Sequence, residues 1–404
     1  MEGFFSIEEV RSKYRKGKKH TSCISCGLYQ HCKNPRMKPY GNFKKKIMVL
    51  GEAPGEVEDQ RGLPWQGRTG SMLRRKLEFL GVSLFEDCIN LNAVACRPIS
   101  KNGTNATPTE FQMDCCRVNV IDAIEHYKPK VIIPLGESAI YSLIGHLLQK
   151  ELGKISKWRG WTIPDQNYMS WICPTFHPSY IERLEKGPEE KVWELDLTQA
   201  FNQVEIPFPK FVKPEIQEIS DLYMLTNIRN DVAIDYETTG IKPHAKGHRI
   251  VCAAVAPSEN LAYVFMMPST KRERQPLIDL LIDSKIGKMA HNMKFEHTWT
   301  QFRLFTEIEN WIWDSMVSAH ILDNRQQITG LKFQAYINFG VIDYSSDVSP
   351  YLQSVDKKNG NSFNRIFELL EIPGGRQKLL KYCGWDAVLE YRLATKQREN
   401  ILPF

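Results

Sequence analysis

The chain has 404 residues, of which 42% are hydrophobic and 25% charged, an ordinary globular composition that excludes a mostly disordered protein. At roughly 100–200 residues per domain, this length calls for two domains or three. No apolar run reaches the roughly 18 residues of a membrane-spanning helix, and the N-terminus MEGFFSIEEVRSKYRKGKKH places its charges after its apolar residues, unlike a secretory leader.

The net charge of +6 hides an asymmetry. Residues 1–50 hold 12 Lys/Arg against 3 Asp/Glu, a local +9, which leaves −3 for residues 51–404. A basic arm suits a polyanion, and reads equally well as a solvated terminus. Eight of the ten cysteines lie in the first half, with only Cys252 and Cys383 in the second. Without a leader, a disulfide framework is not expected.

In chain order, KKKIMVLGEAPG (44–55) reads as a basic lead-in, a buried strand and a Gly-Pro loop, with a helix following over 71–80. INLNAV (89–94) predicts a second strand and FQMDCCRVNVIDAIEHY (111–127) a helix. KVIIPLG (130–136) is a third strand followed by another helix, and WICPTFHP (171–178) a fourth strand ending in a loop. Alternating strands and helices imply an α/β domain with a mostly parallel sheet, whose functional loops lie at the carboxyl ends of the strands. GEAPG, Asn92 and His177 fall at such ends. IPFPKFVKPEIQ (206–217), with three prolines, reads as the start of a linker over 206–225. Strands are then expected at 232–237, 249–256 and 261–267, and helices near 274–283, 293–303, 314–323 and 376–397. The expected domains are therefore 1–205 and 226–404.

Cys23-x-x-Cys26 has a chelating spacing, yet no second pair stands nearby to close a zinc finger. Cys96 and Cys115 or Cys116 are the further candidates, and Cys32 is a spare. GEAPGEVEDQRGLPWQGRTG (51–70), NAVACRP (92–98) and HPSY (177–180) together resemble, in order and spacing, the three motifs of the family 4 uracil-DNA glycosylases. That resemblance covers about 20–200. It implies a parallel-sheet α/β/α glycosylase-like fold and a structural 4Fe–4S cluster held by Cys23, Cys26, Cys96 and a fourth cysteine, Cys116 by spacing, with Cys115 and Cys32 as alternatives. It implies that Asn92 reads the edge of a flipped uracil and that His177 stabilises the departing base. Trp65 stacks on the base where the family has Phe. Glu58 walls off the uracil C5 position, and Glu52 orients water or holds the loop. Read singly, His177 is a loop residue, Asn92 a turn residue and Trp65 core.

Asp235-Tyr236-Glu237 ends an apolar strand, and alternation points both carboxylates to one face. Such a pair either holds a divalent cation through oxygen or is simply solvated. With AHNMKFE (290–296), WDSM (313–316) and Tyr382-Cys-Gly-Trp-Asp386, the set resembles the DEDD-type 3′→5′ exonuclease motifs, with Tyr in the third, of bacteriophage-type family A DNA polymerases. This resemblance covers about 228–400. It implies an RNase H-like (DnaQ-like) fold and two Mg²⁺ or Mn²⁺ ions held by Asp235, Glu237, Asp386 and Glu296, with Asp314 as understudy to Glu296. Tyr382 positions water. Asn292 and Lys294 support the turn or contact DNA, as Lys44, Lys45 and Lys46 would from the basic arm.

The sequence thus predicts a cytoplasmic DNA repair and replication enzyme that acts on DNA and works with a polymerase. The family's polymerase domain is expected to begin near Phe404, in a longer chain or a separate one. Alternatives are an active exonuclease with a non-catalytic uracil- or DNA-binding module, and a non-catalytic scaffold that docks a polymerase.

Overall fold

The computed structural model describes residues 22–401 except 148–151, 185–186, 343, 357 and 359–361, so the basic arm over 1–21 lies outside the described residues. The chain divides into two compact units. One contains the residues up to Phe211 together with Tyr336–Ile342, and the other contains Val212–Ala335 and the residues after 342.

The first unit is built on a five-stranded sheet in the order β2-β1-β3-β5-β4. Its strands are β1 (Ile47–Gly51), β2 (Cys88–Asn92), β3 (Val131–Pro134), β4 (Ile163–Asp165) and β5 (Ser170–Ile172). β1 runs parallel to β2 and β3, and β3 parallel to β5. The edge strand β4 is antiparallel to β5 and escapes sequence reading because it is three residues long and contains Pro164. Every residue of β1 is buried, as a continuous apolar run in a parallel sheet requires. The helices are α1 (Glu56–Arg61), α2 (Arg68–Phe79), α3 (Glu110–Tyr127), α4 (Glu137–Ile144), α5 (Pro178–Arg183) and α6 (Pro188–Asn202). A reciprocal capping box between Thr109 and Gln112 starts α3.

The second unit has a six-stranded sheet in the order β11-β10-β7-β8-β9-β6. β7 (Val232–Thr238), β8 (Ile250–Ser258) and β9 (Leu261–Met266) form an antiparallel meander, while β10 (Lys288–Ala290) and β11 (Trp311–Asp314) continue the sheet parallel to β7. This is the RNase H-like arrangement. β6 (Glu215–Glu218) pairs parallel with β9 and lies inside the stretch that the sequence marks as linker. Its EIQE sequence has no apolar alternation to announce a strand; only Ile216 packs against the core. The longer helices are α7 (Lys271–Ile282), α8 (Met293–Leu304), α9 (Ser315–Leu322), α10 (Leu331–Phe339), whose residues from Tyr336 on belong to the first unit, and α11 (Gly375–Ile401).

Alternation along the meander separates two cores, Ile234, Val255 and Phe265 with Trp299 on one face, and Ala254 and Val264 with Leu379 and Val388 on the other. α11 lies close on the second face because position 384 is glycine: a Cβ there would stand 2.6 Å from Ile216 and 2.8 Å from Val264. That close approach brings Asp386, half a turn further on, down beside β7. No described helix is long and apolar enough to cross a membrane.

Candidate functional site

In the first unit the loops after β1, β2 and β5 meet. Parallel pairing sets Gly51 beside Asn92. A Cβ on Gly51 would lie 2.4 Å from Asn92 Oδ1 and 2.8 Å from Trp65 Cζ2, so the amide and the indole can both close on this backbone only because residue 51 is glycine. The Trp65 ring centre stands 5.9 Å from that of His177, with the planes at 32°. Trp65, Asn92 and His177, distant in sequence, are therefore brought together at the carboxyl ends of the strands. The Trp65 indole Nε1 is buried without a hydrogen-bond partner among the described residues. Gly51→Ala overpacks this junction, and a loss of about 1–3 kcal/mol is expected, read as a lower midpoint in denaturant unfolding.

His177 is the N-cap of α5, and its Nδ1 accepts the Ser179 N–H at 3.2 Å. A lone pair on Nδ1 places the neutral ring's proton on Nε2, leaving that edge as a donor. Burial pushes the imidazole pKa down to about 4, with Arg183 adding repulsion. Glu58 Oε1 accepts the Gln66 and Gly67 N–H groups at 2.9 and 2.8 Å. These contacts make Glu58 a clasp on the turn after Trp65. Glu52 accepts from Ser138 Oγ at 2.9 Å, and burial raises its pKa.

The helical turn Cys23–Cys26 packs on α3, which carries Cys115 and Cys116. Arg36 joins two thiols, its N–H donating to Cys96 Sγ and its Nε to Cys23 Sγ, both at 3.2 Å. Burial pushes the Cys116 thiol up to about 11, with Cys26, Cys96 and Cys23 as its thiol neighbours, whereas Cys115 neighbours Cys26 and Cys23. The Cys32 thiol donates to the Leu28 and Arg97 carbonyls. Among the described residues, no three thiols have all their sulfurs within 4.8 Å of one another.

Lys44, Lys45 and Lys46 immediately precede β1, on the sheet edge opposite the pocket. Lys44 pairs with Glu86 at 2.6 Å, and Lys45 reaches the Gly81 carbonyl at 3.0 Å and Asp87 at 3.7 Å.

In the second unit, Asp235 and Glu237 on β7 meet Asp386 on α11, with one oxygen from each all within 4.8 Å of one another. Burial pushes the Asp235 pKa up to about 8, with Asp386 adding repulsion. Glu237 is raised well above the carboxylate range by burial and then by Asp235. Burial also raises Asp386, against the pull of Lys332 and the hydrogen bond from Tyr344. Three buried carboxylates in this space must share protons or hold a cation. Glu296, on the first turn of α8, stands outside that group. It is 3% exposed, and Asp235 is its leading charge neighbour. Glu296 Oε2 and Asp235 Oδ2 are both buried without a partner among the described residues.

The sign of the pH effect follows. Between the ordinary carboxylate range and about 8, folded Asp235 keeps a proton that the unfolded chain has lost, so stability without metal falls as pH rises through that window. A divalent cation displaces the proton. The rise in melting temperature on adding Mn²⁺ should therefore be larger at pH 8 than at pH 6.

Asp314 has another task. Its carboxylate caps α9 through the Met316 and Val317 N–H groups and accepts the Asn292 and Met293 N–H groups at the start of α8. Asn292 sits at φ +76° in that turn, and Lys294 is exposed on α8. Asp314→Ala should cost about 2 kcal/mol or more of stability; an unchanged melting temperature would contradict this role. Sequence reading missed Lys332, Tyr344 and Glu390. Lys332 Nζ donates to the Tyr382 hydroxyl at 2.9 Å. Tyr344 donates to Asp386, and Glu390 is buried against Ser315. No spacing marks them, because each reaches the site from a loop or a helix turn whose position depends on the tertiary fold.

The fold and these two constellations define a two-part enzyme class: an α/β unit with a polar-aromatic cluster at its strand ends, and an RNase H-like unit with a carboxylate cluster able to hold a metal ion. Residues 38–197 match the model of the uracil DNA glycosylase superfamily, and residues 212–401 that of a 3′-5′ exonuclease. A type-4 uracil-DNA glycosylase of Saccharolobus solfataricus is 36% identical over 182 residues, covering 44% of this chain and 80% of that protein. One from Thermotoga maritima is 32% identical over 183 residues, covering 44% and 87%. The chain belongs to the type-4 uracil-DNA glycosylase family, fused here to a 3′-5′ exonuclease domain. A DNA polymerase of Bacillus phage SP01 is 24% identical over 335 residues, spanning 72% of this chain and 34% of the polymerase.

Proposed function

We propose that the chain excises uracil from DNA with its first unit and trims DNA 3′ ends with its second, in the service of a polymerase of phage type. The observation that carries this reading is convergence. Trp65, Asn92 and His177 come together at the strand ends, and Asp235, Glu237 and Asp386 crowd within 4.8 Å, although each set is scattered along the chain. Likeness to a phage DNA polymerase across both units supports the polymerase link.

In the pocket, a uracil turned out of the helix stacks on Trp65, and the Asn92 amide pairs with its O4 and N3–H edge. His177, neutral and donating from Nε2, faces O2 and stabilises the negative charge that collects on the departing base. Glu52 orients the attacking water, and Glu58 keeps Trp65 in place by holding its turn. Cys23, Cys26, Cys96 and Cys116 hold a 4Fe–4S cluster that ties the N-terminal turn to α3. Hydrolysis of the glycosidic bond needs no electron transfer, so the cluster's part is structural. Purified protein should be brown. Cys116→Ser should lose the visible absorbance and Cys115→Ser keep it; the reverse would reassign the fourth ligand.

In the second unit, Asp235, Glu237 and Asp386, with Glu296 alongside, hold divalent cations. Bound there, the cations supply charge neutralisation at the phosphate and an acidified water. Tyr382 orients that water. The test uses one oligonucleotide containing uracil: alkali-labile abasic sites should form in chelator, and 3′ shortening should appear only with Mg²⁺ or Mn²⁺. Neither product under any condition would refute the proposal.

A further inference from the structure

One ammonium group stands among the exonuclease carboxylates. Lys332 is an exposed residue near the start of α10, yet its Nζ turns inward, donating to the Tyr382 hydroxyl at 2.9 Å and standing 4.8 Å from the ring centre. The Tyr382 ring stacks on Tyr344 with centres 6.0 Å apart, and Tyr344 in turn donates to Asp386. Lys332 thus joins the carboxylate group through the two tyrosines. The Lys332 charge also acts on Asp235 and Glu237, opposing the burial that raises their pKa values. A flexible cation with an exposed stem and its amine at the mouth of a carboxylate centre is placed to meet an arriving anion.

We propose that Lys332 is a catalytic residue of 3′ trimming, its ammonium contacting a non-bridging oxygen of the scissile phosphate while holding Tyr382. This rests on the exonuclease reading above. In that reaction the water oxygen bonds to phosphorus, and the bond from phosphorus to the 3′ oxygen of the preceding nucleotide breaks. Negative charge spreads over the non-bridging oxygens between the two events. A cation fixed at that point stabilises the transition state more than the bound substrate. The competing role is purely supportive, with Lys332 as the counter-ion that keeps three crowded carboxylates in place.

The two roles separate when trimming and metal binding are measured on the same full-length variants. Lys332→Met keeps the length of the side chain and removes its charge, and Lys332→Arg keeps the charge. Trimming is followed on a 5′-labelled single-stranded oligonucleotide, and Mn²⁺ binding by the electron paramagnetic resonance signal of free Mn²⁺. For Lys332→Met, kcat should fall about 100-fold with KM changed less than about threefold, and Lys332→Arg should recover about tenfold of the loss. Both variants should bind Mn²⁺ with wild-type stoichiometry. The proposal is overturned if Lys332→Met trims within about twofold of wild type. It is also overturned if Mn²⁺ binding disappears together with trimming, the signature of a supporting counter-ion. A wild-type chain that binds Mn²⁺ and trims nothing would remove the exonuclease reading itself, and this role with it.

Discussion

Replacing Asp235 and Glu237 together by alanine should abolish 3′ trimming, by at least about 10³-fold, while leaving uracil release intact. The two carboxylates project from the same face of β7, and with Asp386 they form the group of three whose oxygens lie within 4.8 Å. Removing two of three leaves Asp386 with Glu296 outside the group, too few ligands for a divalent cation. The double variant also loses the mutual repulsion that burial intensifies, so its metal-free melting temperature should rise or hold. A variant that melts normally, fails to bind Mn²⁺ and fails to trim would separate chemistry from folding. Continued trimming would move the metal centre elsewhere.

The second large effect concerns His177. Alanine there should slow uracil release by about 10²–10³-fold, the usual cost of losing one donor to developing negative charge. The pH profile is the more discriminating reading. Because burial holds the imidazole pKa near 4, the ring is a neutral Nε2–H donor throughout the neutral range. Excision should stay flat as pH falls through the ordinary histidine range, with the loss due to His177 itself coming only near 4, below the loss from Glu52, whose pKa burial raises. Protonation there adds a proton at Nδ1, which now accepts the Ser179 N–H, and so disturbs the cap of α5. A decline centred near the ordinary histidine value would show a solvated ring and a different role.

Much of this was legible in the residues. The apolar run IMVL with its Gly-Pro loop marked β1 and the pocket at its end, because a strand buried on both faces has few other compositions. Asp235 and Glu237 were legible because alternation on a strand fixes their common side, and Tyr382 and Asp386 because they share a helical face. β6 was not legible: Glu215–Glu218 pairs through its backbone and buries little, so its side chains carry no period. The task of Asp314 was hidden for a related reason. Its four N–H partners come from two helix starts far apart in sequence, and only the folded sheet places β11 beside β10. Lys332 was invisible because a lysine on an amphipathic helix ordinarily points to solvent; its inward turn depends on where α11 sets Tyr382. Lys44 and Lys45 are the converse case. Their charge was legible, but not their engagement with Glu86 and Asp87 at the far edge of the sheet.

The central claim is that one chain carries two chemically separate activities on DNA. The most direct test gives wild type, His177→Ala and the Asp235→Ala/Glu237→Ala double variant the same end-labelled, uracil-containing oligonucleotide, with chelator and with Mg²⁺. Wild type should form abasic sites in both conditions and trim 3′ ends only with Mg²⁺. His177→Ala should keep trimming and lose most abasic sites, and the double variant should do the reverse. Abasic sites absent from wild type under both conditions, or trimming that survives in the double variant, would contradict the account.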